Sequence, residues 1–248
     1  VRARAALLGL LLVGLPRSVP AQNETLPPGF SLEQVAFGPF EPGRPVGFTF
    51  LPDGRILIVE RNTGHVRVQP VGSATSPVVH TVPDVTIDEG RGLVGIAVDP
   101  DWPVRPYLYV HYSHVSSRLR VSMYTASGDL EDPASSELSF ASPFHILDAP
   151  DESSLHNGGT LRFGPDKMLY VSFGDDGDPC SAQNPGSMLG SILRLDVSGL
   201  PAGSARPAGP HLVGSYPLDD AWEARLIYAH GLRNPFRFTV DSPTGDLF

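Results

Sequence analysis

Phe48-Thr49-Phe50-Leu51-Pro52-Asp53-Gly54-Arg55-Ile56-Leu57-Ile58-Val59 is an apolar run, a Pro-Asp-Gly turn and a second apolar run. Pro presets its φ, Asp bonds backbone two residues on, and Gly takes the positive φ that lets the chain reverse. The unit recurs. Ile96-Ala97-Val98-Asp99-Pro100-Asp101 leads into Tyr107-Leu108-Tyr109-Val110, and Leu161-Arg162-Phe163-Gly164-Pro165-Asp166 into Met168-Leu169-Tyr170-Val171. Phe236-Arg237-Phe238-Thr239-Val240-Asp241, followed by Gly245-Asp246-Leu247-Phe248, starts a fourth copy. The turn residues Asp53, Asp101, Asp166 and Asp241 are 48, 65 and 75 residues apart. Propeller blades recur at about 40–50 residues, with insertions in the loops of one face.

Further strands are expected at 65–68, 119–124, 192–197 and 226–228. No stretch beyond the N-terminus sustains a 3.6-residue period, and the one helix-like segment is the short 186–189. A β-sandwich would space shorter strands more evenly. The fold expected is all-β, a six-bladed-type β-propeller. The fourth repeat stops at Phe248 in mid-hairpin, leaving an open edge of the kind natural sheets avoid. The expectation is therefore a propeller truncated to about four blades.

Composition agrees. Hydrophobic residues make up 41% of the 248, enough for a core, and 26 Gly and 26 Pro suit a turn-rich all-β domain. The net charge of −9, without basic runs, argues against nucleic acid or an anionic membrane as partner. Cys180 is the single cysteine, which excludes an intrachain disulfide and a cysteine-based metal site. Arg2 and Arg4 precede an apolar run over 5–15, and Val19-Pro20-Ala21 precedes Gln22. That is the layout of a secretory signal, too short to span a bilayer as an anchor. The expected organisation is a signal peptide over 1–21 and one propeller domain over 22–248, exported to the periplasm or the exterior. A buried N-terminal helix is the alternative.

Gly90-Arg91-Gly92-Leu93-Val94-Gly95 matches the dinucleotide fingerprint in letters only. The fingerprint needs a helix next, and Ile96-Ala97-Val98-Asp99-Pro100 reads as a strand ending in a turn. Leu155-His156-Asn157-Gly158-Gly159-Thr160-Leu161 is more informative. Its glycines permit close backbone approach, and such a turn can present an imidazole at the mouth of a sheet as a general base. A loop histidine in solvent is the plain alternative.

The stretch 155–166 resembles the HxGG(R)L-FGPDG-LY segment of the soluble quinoprotein glucose/sorbosone dehydrogenase family, which includes the aldose sugar dehydrogenases that use pyrroloquinoline quinone (PQQ). Four more segments resemble that family, in its order. Arg91-Gly92-Leu93-Val94-Gly95-Ile96-Ala97-Val98-Asp99-Pro100-Asp101-Trp102 is similar to RGLLGIAFDPDF. Gly174-Asp175-Asp176-Gly177-Asp178-Pro179, with Ala182-Gln183-Asn184, is similar to GDGG…DP…AQ. Leu189-Gly190-Ser191-Ile192-Leu193-Arg194-Leu195-Asp196 is similar to LGKILRID, and Tyr228-Ala229-His230-Gly231-Leu232-Arg233-Asn234-Pro235-Phe236-Arg237-Phe238 to YAYGLRNPWRF.

The resemblance implies a six-bladed propeller with cofactor and substrate at the top of a central channel. It implies that His156 takes the proton from the C1 hydroxyl of a sugar while hydride passes from C1 to the quinone. Arg233 would face the reacting quinone carbonyl, where a fixed guanidinium stabilises developing charge; its plainer role is a structural salt bridge. Asn234 would bond the quinone or cap a turn, and Gln183 would sit at the channel mouth. Asp175, Asp176 and Asp178 suit either Ca²⁺ or an Asx-turn with solvated carboxylates, and the second is expected. No residue is assigned as a metal ligand, because the resemblance places the carbonyls that hold the family's Ca²⁺ mostly beyond Phe248. Two family features are absent: a substrate glutamine is replaced by Gly90 and an aspartate by Leu155. The functions implied are therefore a PQQ-dependent sugar dehydrogenase, or a non-catalytic extracellular propeller of the hedgehog-interacting type that binds a protein or glycan. A lactonase-like hydrolase would want carboxylates around a metal, and no convincing set is present.

Overall fold

The computed structural model describes residues 27–202 and 224–248, so the expected signal segment lies outside the described residues. The chain divides into two compact units, Val1–Ala36 and Phe37–Phe248. In the first, Phe30 N donates to Pro27 O across a turn (3.1 Å). The second carries the sheets.

Three four-stranded antiparallel meanders follow one another. The first is β1 (Pro45–Phe50), β2 (Ile56–Glu60), β3 (His65–Gln69) and β4 (Val78–Thr81). The second is β5 (Leu93–Val98), β6 (Tyr107–His114), β7 (Arg118–Gly128) and β8 (Leu138–Pro150). The third is β9 (Leu161–Phe163), β10 (Leu169–Phe173), β11 (Ser191–Leu195) and β12 (Ile227–Ala229). β1 lies beside β5, and β5 beside β9, so the first strand of each meander lines a shared cleft. The outer strands β4 and β8 also adjoin.

A sheet stacked between two others must be apolar on both faces, and here it is. From β6, Leu108, Val110 and Tyr112 pack between the first and second sheets, while Tyr109 packs on the opposite side. From β10, Leu169, Val171 and Phe173 close the core between the second and third sheets, and Tyr170 turns the other way toward Phe238. Val240 and Leu247 complete that third core, so the fourth repeat occupies the next place in the stack.

The strand expected over 236–240 is not formed. Phe236 O accepts from Thr160 Oγ1 (2.9 Å) and Arg237 Nη1 (2.7 Å), so side chains take the acceptor a ladder would use. Pairing begins only at Thr239, which exchanges bonds of 2.9 and 3.1 Å with Phe248, beside a lone Val240–Leu247 bridge. The helix also falls elsewhere than expected, at α1 (Pro179–Gln183), because Asp178 caps the amide of Cys180 (3.0 Å) and Pro179 opens the first turn.

Candidate active site

Three loops meet at one end of the sheets: 151–159 before β9, 174–178 after β10, and 230–236 after β12. Backbone bonds knit them together. Gly190 N donates to Gly174 O (2.8 Å), Leu232 N to Gly190 O (2.9 Å) and Asp175 N to Arg233 O (2.9 Å). Gly174 is required by this closeness, since a Cβ there would overlap the carbonyl oxygen of His156.

His156 adopts a positive φ of 59°, a strained setting for a residue other than glycine, and Gly158 follows at 70°. The turn carries the imidazole to Asp175, with Nδ1 2.6 Å from Oδ1. Asp175 is buried, its side chain only 2% exposed, and the same oxygen accepts from Gly177 N (3.0 Å). An ionised carboxylate only accepts, so Nδ1 carries the hydrogen and Nε2 is the basic lone pair. Among the described residues Nε2 has no hydrogen-bond partner. An imidazole oriented by a buried carboxylate, with the other nitrogen free, is the arrangement of a general base.

Asp175 thus joins the predicted residues His156, through its side chain, and Arg233, through its backbone. Arg233 is exposed and makes no ion pair among the described residues, so the structural salt bridge considered for it is not formed. Asn234 Oδ1 accepts from Gly158 N (3.1 Å) and pins the histidine turn. Gln183 is exposed at the end of α1.

The expectation of solvated carboxylates at 175–178 is corrected. Asp175 and Asp176 are buried, because the 151–157 loop folds over them. Asp176 accepts from Glu152 N (2.7 Å) and Ser153 N (2.9 Å), and burial pushes its carboxyl up. Asp178 caps α1. No group of three or more His, Cys, Asp or Glu among the described residues is arranged to hold a metal.

Two arginines went unassigned in the sequence. Arg91 Nε donates to Asp151 Oδ1 (2.9 Å), which also accepts from Asn157 Nδ2 (3.1 Å), so the histidine loop is tied to the entry of β5. Arg237 Nη2 donates to Val46 O (2.7 Å) and Val94 O (3.3 Å), joining the first two sheets to the fourth repeat. Gly90 and Leu155 flank the site. A Cβ at Gly90 would overlap the Ser154 carbonyl oxygen, so this loop packing leaves no room for a larger side chain there. Leu155 is 51% exposed beside His156.

Meanders stacked around adjoining first strands, with a His–Asp pair in the loops at one end, define a propeller-type protein. The family model described as Glucose / Sorbosone dehydrogenase matches residues 43–248, and the chain belongs to that family. It is 37% identical over 142 residues to the HIPL2 protein of Arabidopsis thaliana, covering 52% of this chain and 20% of that one. It is 30% identical over 243 residues to the human Hedgehog-interacting protein, covering 88% of this chain and 33% of that one. The PQQ-bound aldose sugar dehydrogenase of Streptomyces coelicolor superposes with a TM-score of 0.63 at 28% identity, covering 82% of this chain and 54% of that one. The chain therefore spans a fifth to about half of the length of these relatives.

Proposed function

We propose that the full-length protein is a PQQ-dependent dehydrogenase that oxidises an aldose or related sugar at C1. The observation that carries this reading is the His156–Asp175 pair, at 2.6 Å, locked to the backbone of Arg233. His156 Nε2 takes the proton of the C1 hydroxyl. Asp175 holds the ring in the tautomer that leaves Nε2 basic and offsets the charge of the imidazolium that forms. Bound PQQ would supply the acceptor for the hydride that leaves C1. The residues fit such a group: the guanidinium of Arg233, which makes no ion pair among the described residues, suits an acidic quinone, Asn234 lies on the converging loops, and Gln183 stands at the end of α1. Burial of Asp175 keeps water from competing for Nδ1.

Residues 1–21 act as a signal peptide and 22–248 belong to a six-bladed propeller exported to the periplasm or the exterior, of which this chain supplies about four blades. Ca²⁺ would accompany PQQ, held mostly by residues beyond Phe248. The partner is a small-molecule sugar rather than a nucleic acid.

A second reading is a non-catalytic extracellular propeller that binds a protein or glycan. The 88% coverage by the human Hedgehog-interacting protein favours it, as does the absence of polar side chains at Gly90 and Leu155. Reduction of a dye acceptor by full-length protein with PQQ, Ca²⁺ and a panel of aldoses separates the two. Sugar-dependent reduction that appears only with PQQ is expected. A protein that does not bind PQQ leaves the second reading.

A further inference from the structure

We propose that the cleft between the first strands of the sheets binds a small inorganic anion of the size of chloride, held by Arg162 and Arg237. The cleft is open to solvent, has room for about one water-sized group (about 20 Å³), and is lined by Gly47 of β1, Val94 and Gly95 of β5, Thr160, Arg162 of β9, and Arg237. Most of its lining comes from the strands, with Gly159 shared with the histidine loop.

Among the described residues, both guanidiniums lack a counter-charge. Arg162 has one hydrogen bond, from Nη1 to Leu161 O (2.9 Å). Arg237 donates only to the carbonyls of Phe236, Val46 and Val94. Neither makes an ion pair with any described residue. That is unlike Arg55, Arg67, Arg91, Arg105, Arg120 and Arg194, each of which meets an aspartate or glutamate. A guanidinium has five N–H donors, so most of those on Arg162 remain unmatched.

The two charges also act on each other. Burial lowers the affinity of both for their protons, and the charge of Arg162 lowers that of Arg237 further. An arginine in a protein does not relieve this by deprotonating. Carbonyl dipoles, the Phe236 ring 3.8 Å from the Arg237 guanidinium carbon and solvent at the exposed side of Arg237 partly compensate, and an anion would cancel the charge. Gly159 keeps the space open, since a Cβ there would stand 3.2 Å from Arg237 Nη1 and from Val94. The small lining residues leave room for an ion rather than for an organic ligand.

Thermal unfolding of full-length protein, titrated with chloride against gluconate at constant ionic strength, tests the site. Chloride at tenfold above its dissociation constant should raise Tm by about 2 °C or more. Arg162→Gln, which removes one charge and leaves the Arg237 contacts in place, should abolish that rise. Crystals soaked in bromide should show an anomalous peak between the two arginines, a readout that does not require a variant to fold. An absent peak, a carboxylate from elsewhere in the protein seated between the arginines, or a chloride effect unchanged in Arg162→Gln would each overturn the assignment. None of these outcomes bears on PQQ binding.

Discussion

Asp175 illustrates what a single side chain's setting decides. In the sequence it is one of three aspartates in a glycine-rich loop, a pattern that serves equally for a solvated turn. In the fold it is buried and bonded to His156 at 2.6 Å. Its burial comes from the 151–157 loop, more than fifteen residues away, which no local pattern announces. His156 was legible because the glycines after it mark a tight presentation of one side chain. Asn234 was left open between quinone and turn, and its Oδ1 bonds Gly158 N. Asp175→Asn should lower kcat/KM for sugar oxidation by about 10²–10³-fold, because an amide neither enforces the tautomer nor offsets the imidazolium. An unchanged rate would show that Asp175 merely holds the loop.

Among the elements, the repeat was readable because each blade carries two apolar strands around a Pro-Asp turn. β4 and β8 were missed. β4 is short and only partly buried, and β8 alternates exposed and buried positions around Pro143. Register within the repeat holds, since Asp53, Asp101 and Asp166 each lie three residues past the first strand of their sheet. The role does not transfer, because the carboxylate that closes the second turn is Asp99. It accepts from Asp101 N (3.1 Å), Arg105 Nε (3.1 Å) and the hydroxyl of Tyr109 (2.9 Å). Arg105 continues to Val197 O (3.1 Å) and Ser198 O (2.9 Å), strapping the second sheet to the third. Asp101 instead meets Lys167 (2.6 Å) at the surface. Asp99→Ala should destabilise the protein by about 3 kcal/mol, because it strands a buried hydroxyl and a guanidinium. Asp101→Ala should cost no more than about 0.5 kcal/mol. Urea denaturation of the pair checks the order, and equal losses would contradict the assignment.

Across the whole molecule, stability rests on cores between stacked sheets, and one of these walls contains a buried histidine. His111 is fully buried on β6, its ring 5.0 Å from that of Phe173, and neither ring nitrogen has a partner. Burial, and then the charge of Arg237, pushes its pKa down to about 3. The unfolded chain would bind a proton near pH 6.5 that the folded chain refuses until about pH 3. Stability from this residue is therefore full above pH 6.5 and falls as the pH drops toward 3, by about 2 kcal/mol between pH 7 and 5. His111→Leu should flatten that slope relative to the parent protein in denaturation at the two pH values. Parallel slopes would mean that the ring is hydrated and titrates normally.

The central claim is that the loops at one end of the sheets form a quinone site in which His156 serves as base. Parallel PQQ titrations of full-length parent protein and His156→Ala, each followed by single-turnover sugar oxidation, test it most directly. The account predicts that both bind PQQ with similar affinity and that the variant oxidises sugar about 10²–10⁴-fold more slowly. Binding lost together with the imidazole, or oxidation unaffected by its removal, would contradict it.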